Sequence, residues 1–205
     1  MSTSKKIIIS VVASVLVILT ATVSVFALQT STFTMSNNIS FNATSIACDV
    51  SASAAILKEN GQIIRYITGY TSSDFTPSNN EFVTSFNVAD DSAESTKALQ
   101  FEDYTLHKGE KVKYTIHIEN TSSTPFHINV TNNSTNVSNI NIAYSYEDAS
   151  TESPTSFNPQ TFLHNDSGTA LEINDFVTIY IVVEIANTGK DSYGNFAWRF
   201  SLTSA

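Results

Sequence analysis

A chain of 205 residues with 19 acidic against 10 basic side chains carries a net charge of −9. That balance lacks the basic footprint of a nucleic-acid binder and argues against electrostatic docking on anionic lipid. The single cysteine, Cys48, excludes an intrachain disulfide, so the fold must rest on its core alone.

Met1 to Ala27 reads as a targeting segment. Lys5 and Lys6 precede the uncharged run Ile7 to Leu19, and small residues follow up to Val25-Phe26-Ala27. This is the charged, apolar and small-residue order of a secretory signal, with a cut expected after Ala27. The uncharged run is also long enough to span a bilayer, so a retained anchor helix is the alternative, with membrane contact through residues 1–27 only. Either way the remainder is exported, to the medium or the cell surface. The exported 178 residues keep eight basic against 19 acidic side chains, a net of −11. That length suits a single β-sandwich domain over residues 28–205.

Ser31 to Val50 has apolar residues at even spacing and predicts two strands, broken at Asn37-Asn38. Cys48 fits a small buried strand position; it lies too far beyond Leu19 for lipidation. Asn60-Gly61, between Ile56-Leu57 and Ile63-Ile64, predicts a hairpin. Thr71 to Asn80 reads as loop, Phe82 to Val88 as strand, and Asp90 to Lys97 as a polar connection.

From Lys111 to Glu119 alternation is strict: Val112, Tyr114, Ile116 and Ile118 face one way and polar residues the other. Phe126, Ile128 and Val130 resume it after Asn120 to Thr124. A second copy of the pattern exists: Leu106-x-x-Gly109-Glu110-x-Val112 aligns with Leu171-x-x-Asn174-Asp175-x-Val177. Glycine and asparagine most easily take positive φ, so both copies should turn alike before a strand, at about 111–119 and 176–185. Ile140 to Tyr146 and Phe196 to Leu202 add strands, and Ala149 to Gly168 is an excursion. The expected core includes Val112, Tyr114, Ile116, Ile118, Val177, Ile181, Val183, Trp198 and Phe200. The class is all-β: an Ig-like antiparallel β-sandwich, or a jelly-roll-like variant, preceded by the signal or anchor helix.

No local catalytic, phosphate-binding or zinc motif occurs, so no catalytic, cofactor-binding or metal residue is assigned and no cofactor is expected. His107, His117, His127 and His164 read as structural. His117 and His127 would face each other only if their strands form a simple hairpin rather than lying in opposite sheets. Asp90-Asp91, Glu102-Asp103 and Glu147-Asp148 read as solvated acid rather than calcium ligands. Asn-x-Ser/Thr triplets begin at Asn38, Asn42, Asn120, Asn129, Asn132, Asn133, Asn136 and Asn165. Tyr66, Tyr70, Tyr144, Tyr146 and Tyr193 would stack on sugar rings if exposed together, and otherwise pack in the core.

The run Leu106-His-Lys-Gly-Glu-Lys-Val-Lys-Tyr-Thr-Ile-His-Ile-Glu-Asn-Thr-Ser and the closing Asn195-Phe-Ala-Trp-Arg-Phe-Ser-Leu-Thr resemble small exported Ig-like proteins of Gram-positive bacteria. Within that group the chain is similar to the TasA/camelysin family of biofilm-matrix and cell-surface proteins. The resemblance implies a non-catalytic structural or adhesive role, with self-assembly through the first strand, Thr30 to Ala43, and contacts with other surface components. Protease activity has been attached to camelysin, but no catalytic residue carries over to a position here. A glycan- or ligand-binding module is the alternative, and a secreted hydrolase a third.

Overall fold

The computed structural model describes residues 32–70, 74–136, 140–146, 159–185 and 192–205. The expected signal segment, Met1 to Ala27, lies outside them. The described residues form strands and one 3-10 turn, Pro159–Thr161, with no α-helix among them.

Two sheets result. The first runs β4 (Gly69–Tyr70), β7 (Glu94–His107), β1 (Thr32–Thr44), β12 (Ser192–Ser204) and β9 (Phe126–Asn132). The second runs β10 (Ile140–Ser145), β11 (Phe176–Ile185), β8 (Glu110–Asn120), β2 (Ala47–Lys58), β6 (Glu81–Asn87) and β5 (Thr76–Ser78). β3 (Ile63–Tyr66) pairs with the end of β2, on the edge that β6 takes further along the strand.

Alternation drives the packing. Along β1, Phe33, Met35, Asn37, Ile39, Phe41 and Ala43 are buried while the residues alternating with them are not. β8 does the same from the other sheet with Val112, Tyr114, Ile116 and Ile118. Every residue predicted for the core is buried, and one apolar cluster contains side chains from Phe33 to Leu202. Aromatic rings cross between the layers. Phe101 of β7 meets Tyr114 of β8 at 5.7 Å, and Tyr114 stacks on Phe196 of β12 at 4.3 Å with planes 3° apart. Such pairs add about 0.5–1.5 kcal/mol each beyond their buried area. The two sheets are therefore the layers of a sandwich.

The repeated turn is present. Gly109 has φ 83° and Asn174 has φ 58°, each before its strand, and Leu106 and Leu171 are both fully buried. The two copies, β8 and β11, lie side by side as an antiparallel pair.

Several expectations need correction. The sandwich is not purely antiparallel: β1 runs parallel to β12 from Phe33 opposite Ser192 to Thr44 opposite Thr203. A parallel pair needs a long connection, and here nearly the whole chain supplies it. Two strands do occupy Ser31 to Val50, β1 and the start of β2, but the break falls at Ser45, with φ 57°, and not at Asn37-Asn38, where β1 runs on past an irregularity in its pairing with β7. Glu94 to Lys97 belong to β7, and Thr76–Ser78 make the short β5. Gly194 permits the tight start of the β1–β12 pair; a Cβ there would lie 2.6 Å from the Phe33 ring.

Candidate functional site

The histidines do not converge. β8 and β9 lie in opposite sheets, so His117 and His127 are not cross-strand neighbours. His117 Nδ1 lies 2.9 Å from Thr178 Oγ1 on the outer face of the second sheet, with the exposed Phe176 ring at 4.9 Å. His127 pairs in register with Thr203 in the first sheet. The backbone N–H of His107 donates to Glu110 Oε2 at 2.9 Å, and His164 Nδ1 lies 3.1 Å from the Thr169 carbonyl. Among the described residues no three His, Cys, Asp or Glu side chains are grouped to hold a metal ion.

The acidic groups are dispersed as well. Ser92 donates its backbone N–H and its hydroxyl to Asp90, which lowers that carboxyl below its ordinary range. Glu147-Asp148 lie outside the described residues. Asn120 is fully buried and its amide donates to the Thr124 and Leu171 carbonyls, so this triplet is structural. Of the aromatics, Tyr66 is 43% exposed on β3 and Tyr193 56% exposed on β12, in different sheets. Tyr144 and Tyr146 pack against the core, and the side chain of Tyr70 lies outside the described set. Tyr66 and Tyr193 therefore form no common aromatic platform.

Three features do stand out, and the first is buried. Asn37 of β1, 1% exposed, accepts a hydrogen bond from the Tyr114 hydroxyl of β8 and donates to the Met35 and Glu102 carbonyls. Tyr114 and Tyr104 hydroxyls lie 3.2 Å apart, and Tyr104 donates to Met35 Sδ at 3.0 Å. The network ties the first strand to the opposite sheet. Burial pushes both phenols up, so they remain neutral donors. Cys48 is inert for the same reason: burial, then the Asp49 charge, pushes its thiol up to about 12. Sequence reading placed Asn37 at a strand break. The usable signal was its place in the core-facing series Phe33, Met35, Ile39 and Phe41, with a polar-tipped tyrosine at Tyr114.

The second feature is the outer face of the first sheet. Thr34, Ser36, Asn38, Ser40, Asn42 and Thr44 occupy the outward positions of β1 in an uncharged polar row. Hydrogen bonds run along and across it, as from Ser36 to Asn195 at 3.3 Å and from Asn42 to Glu94 at 2.9 Å.

The third is β3. All four of its residues are exposed, including Ile63 at 45% and Ile64 at 44%. Sequence reading took this strand only as the second arm of a hairpin.

No family model matches the chain, and no curated protein does. Among solved structures it is similar to the pilus-presented adhesin Spy0125 (Cpa), at 9% identity and a TM-score of 0.26, over 83% of this chain and 28% of that one. The chain thus spans about a quarter of that adhesin's length. It is also similar to the yeast delta-COP-I mu-homology domain, at 10% identity and a TM-score of 0.15, over 86% of this chain and 98% of that one. Likeness this slight carries no argument about function.

Proposed function

We propose that the protein is a non-catalytic, exported structural or adhesive β-sandwich of Ig-like type, working at the cell surface or in a surface matrix of a Gram-positive bacterium. The observation that carries the reading is the uncharged polar row on β1, on a chain whose opening segment has the pattern of an export signal. Such a face offers short hydroxyl and amide groups along the whole strand, with charge only on the neighbouring strands, Arg199 opposite Ser40 and Glu94 opposite Thr44. It suits hydrogen bonding to a polar, weakly charged surface component, and it costs little side-chain entropy because threonine and serine are short.

Self-association through the first strand is part of this proposal. Because β1 is bonded to β7 and β12 along its length, it would act by exchange as the chains fold, before the strand is locked in its own sheet, each copy giving its strand to the next. Head-to-tail exchange does not close on itself and builds a fibre. A glycan-binding module ranks second, since the exposed Tyr66 and Tyr193 lie in separate sheets.

Cell fractionation with N-terminal mass spectrometry tests the location. A chain starting at Leu28 in the medium or on the surface supports the cleaved form; one starting at Met1 or Ser2 in membranes supports the anchor. A cytoplasmic protein overturns the reading. Ser40→Glu combined with Asn38→Lys tests the face itself. Loss of surface retention with an unchanged melting temperature is expected, and full retention contradicts the assigned face.

A further inference from the structure

We propose that the free edge of β3 is a pairing surface for a second copy of this chain, docked antiparallel about a two-fold axis between Ile64 and Arg65. This goes beyond the exchange of β1 and is independent of it: two-fold pairing closes as a dimer, whereas exchange propagates.

An exposed strand edge invites another strand, and most proteins blunt it. Three of the other edges are blunted at least in part, while β10 is a further edge strand of the second sheet. β5 is three residues long and carries Pro77. The edge of β9 is covered by a returning segment, the N–H groups of Phe126 and Ile128 donating to the Leu171 and His164 carbonyls. β7 is covered at Gln100 and Phe101 by β4, and the Glu102 N–H donates to the Thr68 carbonyl. β3 is short, bulged and carries Arg65, but it has no proline and no covering segment: among the described residues it pairs with β2 alone, and its apolar side chains stand in water.

Its side-chain pattern specifies the partner. A bulge on pairing with β2 sets Ile63 opposite Leu57 and Tyr66 opposite Ala55, on the outer face of the second sheet. Ile64 and Arg65 line the cleft between β3 and β7 instead. The faces of residues 63 to 66 therefore read out, in, in, out, the same in both directions. Antiparallel pairing of two such strands about their midpoint sets Ile63 against Tyr66 of the second copy and Ile64 against Arg65 of the second copy, each pair on a matching face. Few other occupants would meet that symmetry.

Charge agrees. In a chain of net charge −9, residues 62–66 hold one arginine and no acid, so pairing here brings no carboxylates of the two strands together. Arg65 shares its cleft with Asp103 and Glu110 yet forms no salt bridge; the one ion pair among the described residues is Lys111–Glu184. A second Arg65, arriving beside Ile64 at the mouth of this cleft, supplies a further cation to the two carboxylates. The arrangement is reciprocal across the axis.

The register makes the test specific. Ile63→Cys/Tyr66→Cys in the full exported chain should oxidise to a covalent dimer, because opposed residues in an antiparallel pair bring Cα atoms to about 4.5–5.5 Å, within reach of a disulfide. Either single cysteine should cross-link far less, and native Cys48 is buried and takes no part. Arg65→Glu should weaken dimerisation about tenfold or more in sedimentation equilibrium, and adding Asp103→Arg should restore it. Circular dichroism and melting temperature serve as the folding control. The proposal is overturned if the wild type stays monomeric at millimolar concentration. It is equally overturned if single and double cysteine variants cross-link alike, or if folded Arg65→Glu associates as the wild type does.

Discussion

β1 and β3 are both apolar-rich strands, yet the fold treats them in opposite ways. β1 is paired on both edges, buries alternate residues and is held from the opposite sheet by Tyr114 on Asn37. β3 is paired on one edge and buries none of its residues. Apolar content does not distinguish Phe33-x-Met35 from Ile63-Ile64. What differs is place in the layers: β1 sits at the centre of its sheet, while β3 pairs on one edge and faces the first sheet only across an open cleft with β7. Hydrophobicity nominates a strand for burial, and position in the layers decides it.

The sharpest way to break this contrast is at the core. Ile116→Ala, facing the first sheet from β8, should cost about 2–5 kcal/mol by denaturant unfolding. An unchanged midpoint would mean that the strand faces the other way. Tyr114→Phe is a smaller cut, which leaves the Asn37 carbonyl oxygen without its buried donor; about 1–3 kcal/mol is expected. A neutral result would show that the network does not hold β1.

The pH dependence follows from the buried acids. Cys48, whose ordinary pKa is 9.0, is held at about 12, and Tyr104 and Tyr114 are raised too. The folded state thus keeps protons that the unfolded chain releases. Stability from Cys48 is complete below pH 9 and declines as pH rises toward 12. Alkaline titration of the unfolding midpoint measures it, and native-state thiol labelling should be slow until the protein unfolds. Rapid labelling at pH 8 would contradict the assigned burial. Smallest of all, Ile64→Ser should change monomer stability by no more than about 0.5 kcal/mol, since that side chain is 44% exposed. A large loss would place β3 in the core.

Much of this was legible in the sequence, for physical reasons. Strict alternation in β8 and β11, Asn60-Gly61, and the paired turns at Gly109 and Asn174 are local signals, and local geometry followed them. The start of β7 was not legible, because Glu94, Ser95, Thr96 and Lys97 show no apolar alternation. Asn37 looked like a break because asparagine favours turns; two of its three side-chain hydrogen bonds join it to residues 65 and 77 positions away, which no window shows. The β1–β12 parallel pair joins the two ends of the described chain and leaves no local trace. Nor does the open edge of β3, which depends on where the neighbouring strands stop.

The most direct test of the contrast is hydrogen exchange by mass spectrometry on the native protein, at low and high concentration. Peptides covering Thr32–Thr44 should exchange only through global unfolding at both concentrations. Peptides covering Gln62–Tyr66 should exchange fast when dilute and slow when concentrated. Exchange of Thr32–Thr44 by an opening well below the global free energy, or equal exchange of Gln62–Tyr66 at both concentrations, would contradict a locked first strand beside an open third.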